Sequence, residues 1–185
     1  IQIPHELLYE EALQYGIDLP EAEQYGVGML FFPQNNFIRE ECKEIISHAA
    51  DKLNLKILGY RPVPVSNIEL GNLAKSVEPI MEMLFVEKPF DIENSKDFER
   101  KLFIFKNYIS NQITSVTNND PIGFYVASFS CKKIIYKGQL RSIQIRNYFK
   151  DLTNPKIRSA FGMAHSRFAT NTSPTWSLAQ PFRFI

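Results

Sequence analysis

AHSRFATNTSPTWSLAQPFRFI, residues 164–185, closes the chain and holds its only tryptophan, Trp176, together with His165, Arg167, Arg183, Pro174 and Pro181. Terminal segments are ordinarily polar and tolerant of change. This one has the composition of a working site, with a histidine that reads as buried. Arg167 falls at the end of a predicted strand, about Ser159 to Phe168, and is followed at once by Thr170, Asn171 and Thr172. A guanidinium fork matches a carboxylate bidentately, and hydroxyl and amide groups can complete such a pocket. The same arginine can equally tie down a loop, and the residues alone leave both readings open. An Asn-Thr-Ser sequon at 171–173 is discounted because Pro174 follows it.

Length and composition set the frame. The 185 residues suffice for one domain with a real core. Apolar residues make up 44% and charged residues 22%, as in ordinary globular proteins. Lys and Arg number 21 against 20 Asp and Glu, so there is no basic field for nucleic acid and no run of like charge. No apolar run approaches a membrane span, and IQIPHELLYEE at the start has no signal-peptide layout. Cys42 and Cys131 are the only cysteines and form no CxxC, so neither a disulfide framework nor a metal site is expected. The expectation is a cytoplasmic protein that engages neither nucleic acid nor membrane.

No repeat or low-complexity linker divides the chain. Residues 5–15 read as a helix stopped by Gly16 and Pro20, and 25–33 (YGVGMLFFP) as a buried strand. A helix from about Ile38 to Leu53 places Ile38, Cys42, Ile45, Ile46, Ala49 and Leu53 on one face. Lys56–Val63 and 80–87 are strand candidates. A second amphipathic helix, about Lys96 to Ser115, has Phe98, Leu102, Phe105 and Ile109 inward, and NNDP at 118–121 is turn punctuation. Residues 122–130 and 132–138 read as a hairpin, and 142–151 as a short helix. Five or six strands, partly in consecutive pairs, with two long helices point to a single α+β domain or layered α/β packing.

Few residues elsewhere suggest chemistry. Gly26-Val27-Gly28 lacks a third glycine and a following helix start, so the glycines read as allowing close approach within a strand rather than as a dinucleotide loop. His5 and His48 have no partners at ligand spacing and read as surface or packing residues. Cys42 reads as a small core hydrophobe. Cys131 stands beside Lys132 and Lys133, which would lower its pKa, but no histidine lies near it in sequence.

HSRFATNTSPTWSLAQPFRFI closely resembles the terminal motif of the class II glutamine amidotransferase domain of glutamate synthase large subunits. IQIPHELL at 1–8, GIDLPEAEQYGVGMLFFPQ at 16–34, LGYRPVPV at 58–65 and IIYKGQL at 134–140 are similar to that family in the same order, so the resemblance covers essentially the whole chain. It implies a four-layer αββα N-terminal-nucleophile hydrolase fold, of which residues 1–185 are the central part. The implied reaction is hydrolysis of glutamine to glutamate and ammonia by an N-terminal cysteine whose own α-amino group is the base. Ammonia then passes to a synthase site that aminates 2-oxoglutarate.

Carried over by resemblance, Arg167 pairs with the α-carboxylate of glutamine, Thr170 and Asn171 share its substrate loop, Phe168 packs under the pocket and His165 supports the motif. The family's opening Cys-Gly-x-Gly is not found, residue 1 being Ile, and the histidine-asparagine-glycine segment expected after AQPFRF is also missing. The chain is therefore expected to be an internal piece with no catalytic residue of its own. No metal or cofactor is expected in this segment. FMN and an iron–sulfur cluster are implied for the parent, and its synthase domains and a small NADPH-oxidising subunit as partners. The electron donor, whether NADPH, NADH or ferredoxin, is decided outside these residues. Two alternatives stand beside this reading: a non-catalytic binding domain that kept the fold, and another class II amidotransferase.

Overall fold

The computed structural model describes residues 1–117, 120, 122–165 and 175–180. Among them, helix α1 (His5–Leu13) precedes strand β1 (Tyr25–Phe32), helix α2 (Asn36–Lys52) and strand β2 (Lys56–Pro62). Helix α3 (Asn72–Ser76), strand β3 (Ile80–Glu87), helix α4 (Ser95–Thr117), strand β4 (Tyr125–Ser130) and helix α5 (Ser142–Tyr148) follow, with a 3-10 turn at Lys150–Thr153. The strands form one antiparallel sheet in the order β2-β3-β1-β4.

The central strands explain why the sheet is buried on both faces. Side chains alternate across a strand. Val27, Met29 and Phe31 of β1 and Met81, Met83 and Phe85 of β3 enter one apolar cluster, while Leu30, Phe32, Leu84 and Val86 enter the other. The second cluster is roofed by α2, through Cys42, Ile46, Ala49 and Ala50, and by α4, through Phe98, Leu102, Phe105, Ile109 and Ile113. Asn35 caps α2, its side chain accepting from the Phe37 and Ile38 amides. The first cluster is closed by Leu8 and Ala12 of α1, Val63, Ile134, Tyr148, Phe149 and Trp176.

Both long helices and the strands at β1, β2 and β3 match the sequence reading within a few residues. Three expectations are corrected. Residues 132–138 do not return along β4 as a hairpin. The Ser130 hydroxyl accepts from the Lys132 and Lys133 amides and Glu99 accepts from the Cys131 amide, so the backbone leaves the sheet at once. It pairs instead with the N-terminal segment, the Ile3 amide donating to the Lys132 carbonyl and the Ile134 amide to the Ile1 carbonyl, both at 3.0 Å. The helix expected over 142–151 stops at Tyr148. Phe149 is extended there and bridges Val65, and the Ser66 and Lys150 amides bond to the Tyr148 and Pro64 carbonyls. Residues 159–165 form no strand, and the rest of that expected strand lies outside the described residues. The glycines of β1 do allow close approach, though of side chains: a Cβ on Gly26 would meet Leu102, and one on Gly28 the Phe129 ring.

Gly59 carries a backbone requirement. Its φ is +154°, at the register shift of β2 between Ile57 and Gly59, and a Cβ would stand 2.6 Å from Ile17 Cγ1. Gly59→Ala is expected to cost about 1–3 kcal/mol through overpacking and backbone strain. Urea denaturation checks this, and a midpoint equal to that of the unsubstituted chain would refute the bulge argument.

Candidate functional site

One end of the first cluster opens into a cavity of about 1600 Å³. Its walls come from the N-terminal residues Ile1–Ile3, the loop into α3, the segment from Cys131 into α5, and the two ends of the terminal stretch, 161–165 and 175–180. The cavity therefore lies where the chain leaves β4 and where the terminal stretch docks. Apolar residues dominate the walls, among them Ile134, Leu140 and Leu178, with Lys137, Gln139, Arg141, His165 and Thr175 placed among them. An apolar concavity with a few polar groups is the usual form of a small-molecule site.

The turn Thr175–Leu178 is firmly seated. Trp176 is 3% exposed; its indole N–H donates to the Ala74 carbonyl at 2.9 Å, and its ring lies 5.4 Å from that of Tyr148. Lys137, 2% exposed, donates from Nζ to the Ser177 carbonyl at 2.8 Å and to the Tyr125 hydroxyl at 3.2 Å. Burial, with a smaller contribution from Lys106, lowers the Lys137 amine to about 8.

Beneath the cavity wall runs a buried polar network. Arg61 of β2 donates to both carboxylate oxygens of Asp151, at 2.9 and 2.7 Å, and to Glu11 of α1 at 3.2 Å. The Tyr136 hydroxyl donates to Asp151 at 2.9 Å. Burial opposes the charge on Arg61, but the bonds and charges of Asp151 and Glu11 outweigh it and raise its pKa. Burial and then Asp151 push the Tyr136 hydroxyl well above its ordinary value, so it stays a donor.

The expected site residues divide. Arg167, Phe168, Thr170 and Asn171 lie outside the described residues. His165 is described and lines the cavity, but it is exposed rather than buried. His5 has the packing role expected of it, its Nδ1 lying 3.0 Å from the Tyr25 hydroxyl, and His48 is exposed on α2. Both cysteines are buried, their thiols pushed up to about 12 by burial, with Glu41 adding at Cys42 and Glu99 at Cys131. Lys132 pulls the other way at Cys131 and is outweighed, so the lysine effect anticipated there does not prevail. Among the described residues no cluster of His, Cys, Asp or Glu is arranged to hold a metal ion, and no helix is long and apolar enough to cross a membrane. Lys137 and Asp151 were not singled out by sequence reading. A lysine inside the apolar IIYKG run and an arginine inside the β2 strand were the available signals.

The profile of the family described as glutamine amidotransferases class-II matches residues 1–185. The chain belongs to the class II glutamine amidotransferases. Ferredoxin-dependent glutamate synthase 2, chloroplastic, of Arabidopsis thaliana is 39% identical over 183 residues, covering 99% of this chain and 11% of that protein. The glutamate synthase [NADPH] large chain of Bacillus subtilis (strain 168) is 36% identical over 185 residues, 100% of this chain and 12% of the relative. Glutamate synthase [NADH] of Saccharomyces cerevisiae is 39% identical over 191 residues, 99% of this chain and 9% of the relative. The amidotransferase segment thus spans about a tenth of the length of the curated relatives it matches. Its fold is the α+β fold of the N-terminal-nucleophile hydrolases. Of that fold, the described residues build one four-stranded sheet with α2 and α4 on one face. Toward the other face, pairing is limited to the isolated bridges Gln2–Lys133 and Val65–Phe149.

Proposed function

We propose that this segment is the glutamine-hydrolysing unit of a glutamate synthase and sends ammonia to a synthase site on the same parent chain. The observation that carries the reading is a match over the whole segment, at 36–39% identity, to glutamate synthases that differ in their named electron donors. A segment equally similar to ferredoxin-, NADPH- and NADH-named enzymes is common to all three, which leaves donor choice to other parts of the parent. In this reading a cysteine thiolate at the head of the parent's mature chain attacks the side-chain amide carbon of glutamine. The C–N bond breaks, ammonia leaves with a proton relayed from the thiol, and water hydrolyses the thioester to glutamate.

FMN and the iron–sulfur cluster belong to the parent outside this segment. A cluster needs several thiolate ligands, and this segment has two cysteines, both buried as neutral thiols. The partners are the synthase domains and, where the parent's donor is NADPH, a small NADPH-oxidising subunit. A cytoplasmic location is also part of the proposal, supported by the two unpaired cysteines.

Within the site, Arg167 is the partner of the glutamine α-carboxylate, with Thr170 and Asn171 in the same loop and Phe168 and His165 supporting it. Arg167→Ala in the parent is expected to raise KM for glutamine roughly tenfold to a hundredfold, the worth of a charge-assisted bidentate contact. Arg167→Lys should recover only part of that, because a point charge does not reproduce the fork. Amination driven by free ammonium should be unaffected, since it bypasses the glutamine pocket. Equal loss in the glutamine- and ammonium-dependent assays would make Arg167 a structural residue and refute its assignment to the substrate.

A further inference from the structure

The run KKIIYKG, 132–138, has the composition of a strand, yet only its first half is paired. Ile1 and Ile134 exchange both backbone bonds, the Ile1 amine donating at 3.2 Å and the Ile134 amide at 3.0 Å. Gln2 bridges Lys133 in antiparallel sense, and the Ile3 amide donates to the Lys132 carbonyl. The extended course continues past Ile134. Amides along a strand point alternately to its two edges. The Ile134 amide points at Ile1, and the Ile135 amide points the other way, donating to the Ser128 hydroxyl of β4 at 3.2 Å. Tyr136 therefore turns its backbone groups back to the edge that Ile1 occupies. Its ring joins Ile134 against the same apolar cluster, as a period of two requires.

That edge is open beyond Ile134. Among the described residues, neither the N–H nor the C=O of Tyr136 has a hydrogen-bond partner, nor have those of Gly138. Both residues line the cavity, and backbone groups set in apolar walls are nearly always paired in native proteins. An open strand edge is a template for another strand. The same cavity also gathers large apolar side chains left bare: Ile68, Leu73, Ile143 and Phe161 are 62–88% exposed. Exposed apolar surface collected round a concavity marks a docking site.

We propose that residues 135–138 are a strand-addition site whose occupant is the segment immediately preceding Ile1 in the parent chain. The pairs already in place fix the register. The residue directly before Ile1 lies opposite Ile135, and the residue two before Ile1 exchanges both backbone bonds with Tyr136. Three observations favour this occupant. Ile1 already sits in the ladder, so continuation needs no loop closure. The curated relatives are about ten times longer than this segment, so a parent of that length has chain to supply. Burial and then the Lys133 charge hold the Ile1 amine below its ordinary value, and a neutral peptide N–H makes the same bond without that cost. Main-chain bonds supply the affinity in strand addition, and the apolar walls receive the added side chains. The proposal holds whatever the cavity binds and stands apart from the reading of Arg167.

The test begins with amide hydrogen exchange in the unsubstituted full-length parent. The amides of Tyr136 and of the residue two before Ile1 should both exchange roughly a thousandfold or more slowly than in an unstructured peptide. Fast exchange at either one overturns the ladder. A cysteine pair then identifies what covers the edge: Ile135→Cys is combined with cysteine directly before Ile1, and the parent is oxidised. Opposed residues of a non-hydrogen-bonded antiparallel pair stand about 4.5 Å apart between Cα atoms, within disulfide reach. Cysteine placed one position further upstream lies on the opposite face and should not cross-link to Ile135→Cys. A disulfide in the first pair and none in the second supports the proposal. No disulfide in either, or equal yields in both, gives the edge to another segment and overturns it. If the cysteine variants do not fold, the exchange result alone decides, two slow amides supporting the ladder and one fast amide overturning it.

Discussion

Asp151→Ala is expected to cost about 3–5 kcal/mol of stability, the range for removing one partner of a buried ion pair. Arg61 is 1% exposed and Asp151 2% exposed, and the two meet in a buried bidentate pair. Without the carboxylate, the guanidinium keeps only Glu11 at 3.2 Å and a weak contact to Met83 Sδ at 3.6 Å, and the Tyr136 hydroxyl loses its acceptor. The guanidinium cannot shed its proton to escape. The damage should therefore appear as a large fall in the urea midpoint, or as failure to fold. Replacing both partners with apolar residues, Arg61→Met with Asp151→Leu, should be much milder, because the one charge left without its partner, the Glu11 carboxylate, is partly exposed. A loss under about 1 kcal/mol in the single variant, or a double variant as damaged as the single, would show that the network is not what joins β2 to the 3-10 turn.

The two thiols should be nearly inert in the folded chain. With pKa values pushed up to about 12, the thiolate fraction at pH 8 is on the order of one in ten thousand, against roughly a quarter for an ordinary thiol near 8.5. Alkylation by iodoacetamide at pH 8 should accordingly be about a thousandfold slower in native protein than in denaturant, before burial slows it further. Because the folded pKa is raised above the unfolded one, these thiols favour the folded state below about pH 8.5 and that contribution is lost as pH climbs towards 12. The catalytic corollary is an expected result: residues 1–185 alone should release no ammonia from glutamine, since covalent catalysis needs a thiolate. Turnover that disappears in Cys131→Ala, or rapid labelling of Cys131 in the native state, would sink both statements.

Much of the fold was legible because period and punctuation agree with burial. The apolar positions of α2 and α4 recur at helical spacing and are the residues that roof the sheet. β1 and β3 are short apolar runs bounded by Gly and Pro or by charge, as strands buried on both faces should be. Cys42 and His5 behave as their neighbours suggested, one as core and one as packing. The family was legible from ordered motifs spread along the chain, well before any geometry.

What failed was long-range competition for backbone groups. KKIIYKG has strand-like composition, but Ser130 and Glu99 capture its first amides and the N-terminal segment takes its pairing. The helix after Ser142 ends early because Pro64, Val65 and Ser66, far away in sequence, claim the backbone on either side of Phe149. No local pattern carries that information. Side-chain pairing follows the same rule. Arg61 and Asp151 are 90 residues apart and Lys137 and Ser177 are 40 apart, so each reads as a solitary polar residue until the fold makes it half of a pair. Hydrophobic period and turn chemistry are local and survive in one dimension, so elements, core faces and family could be read there. Which strand edge, carboxylate or carbonyl satisfies a buried group depends on which distant segments the sheet brings together, and tertiary structure alone decided that.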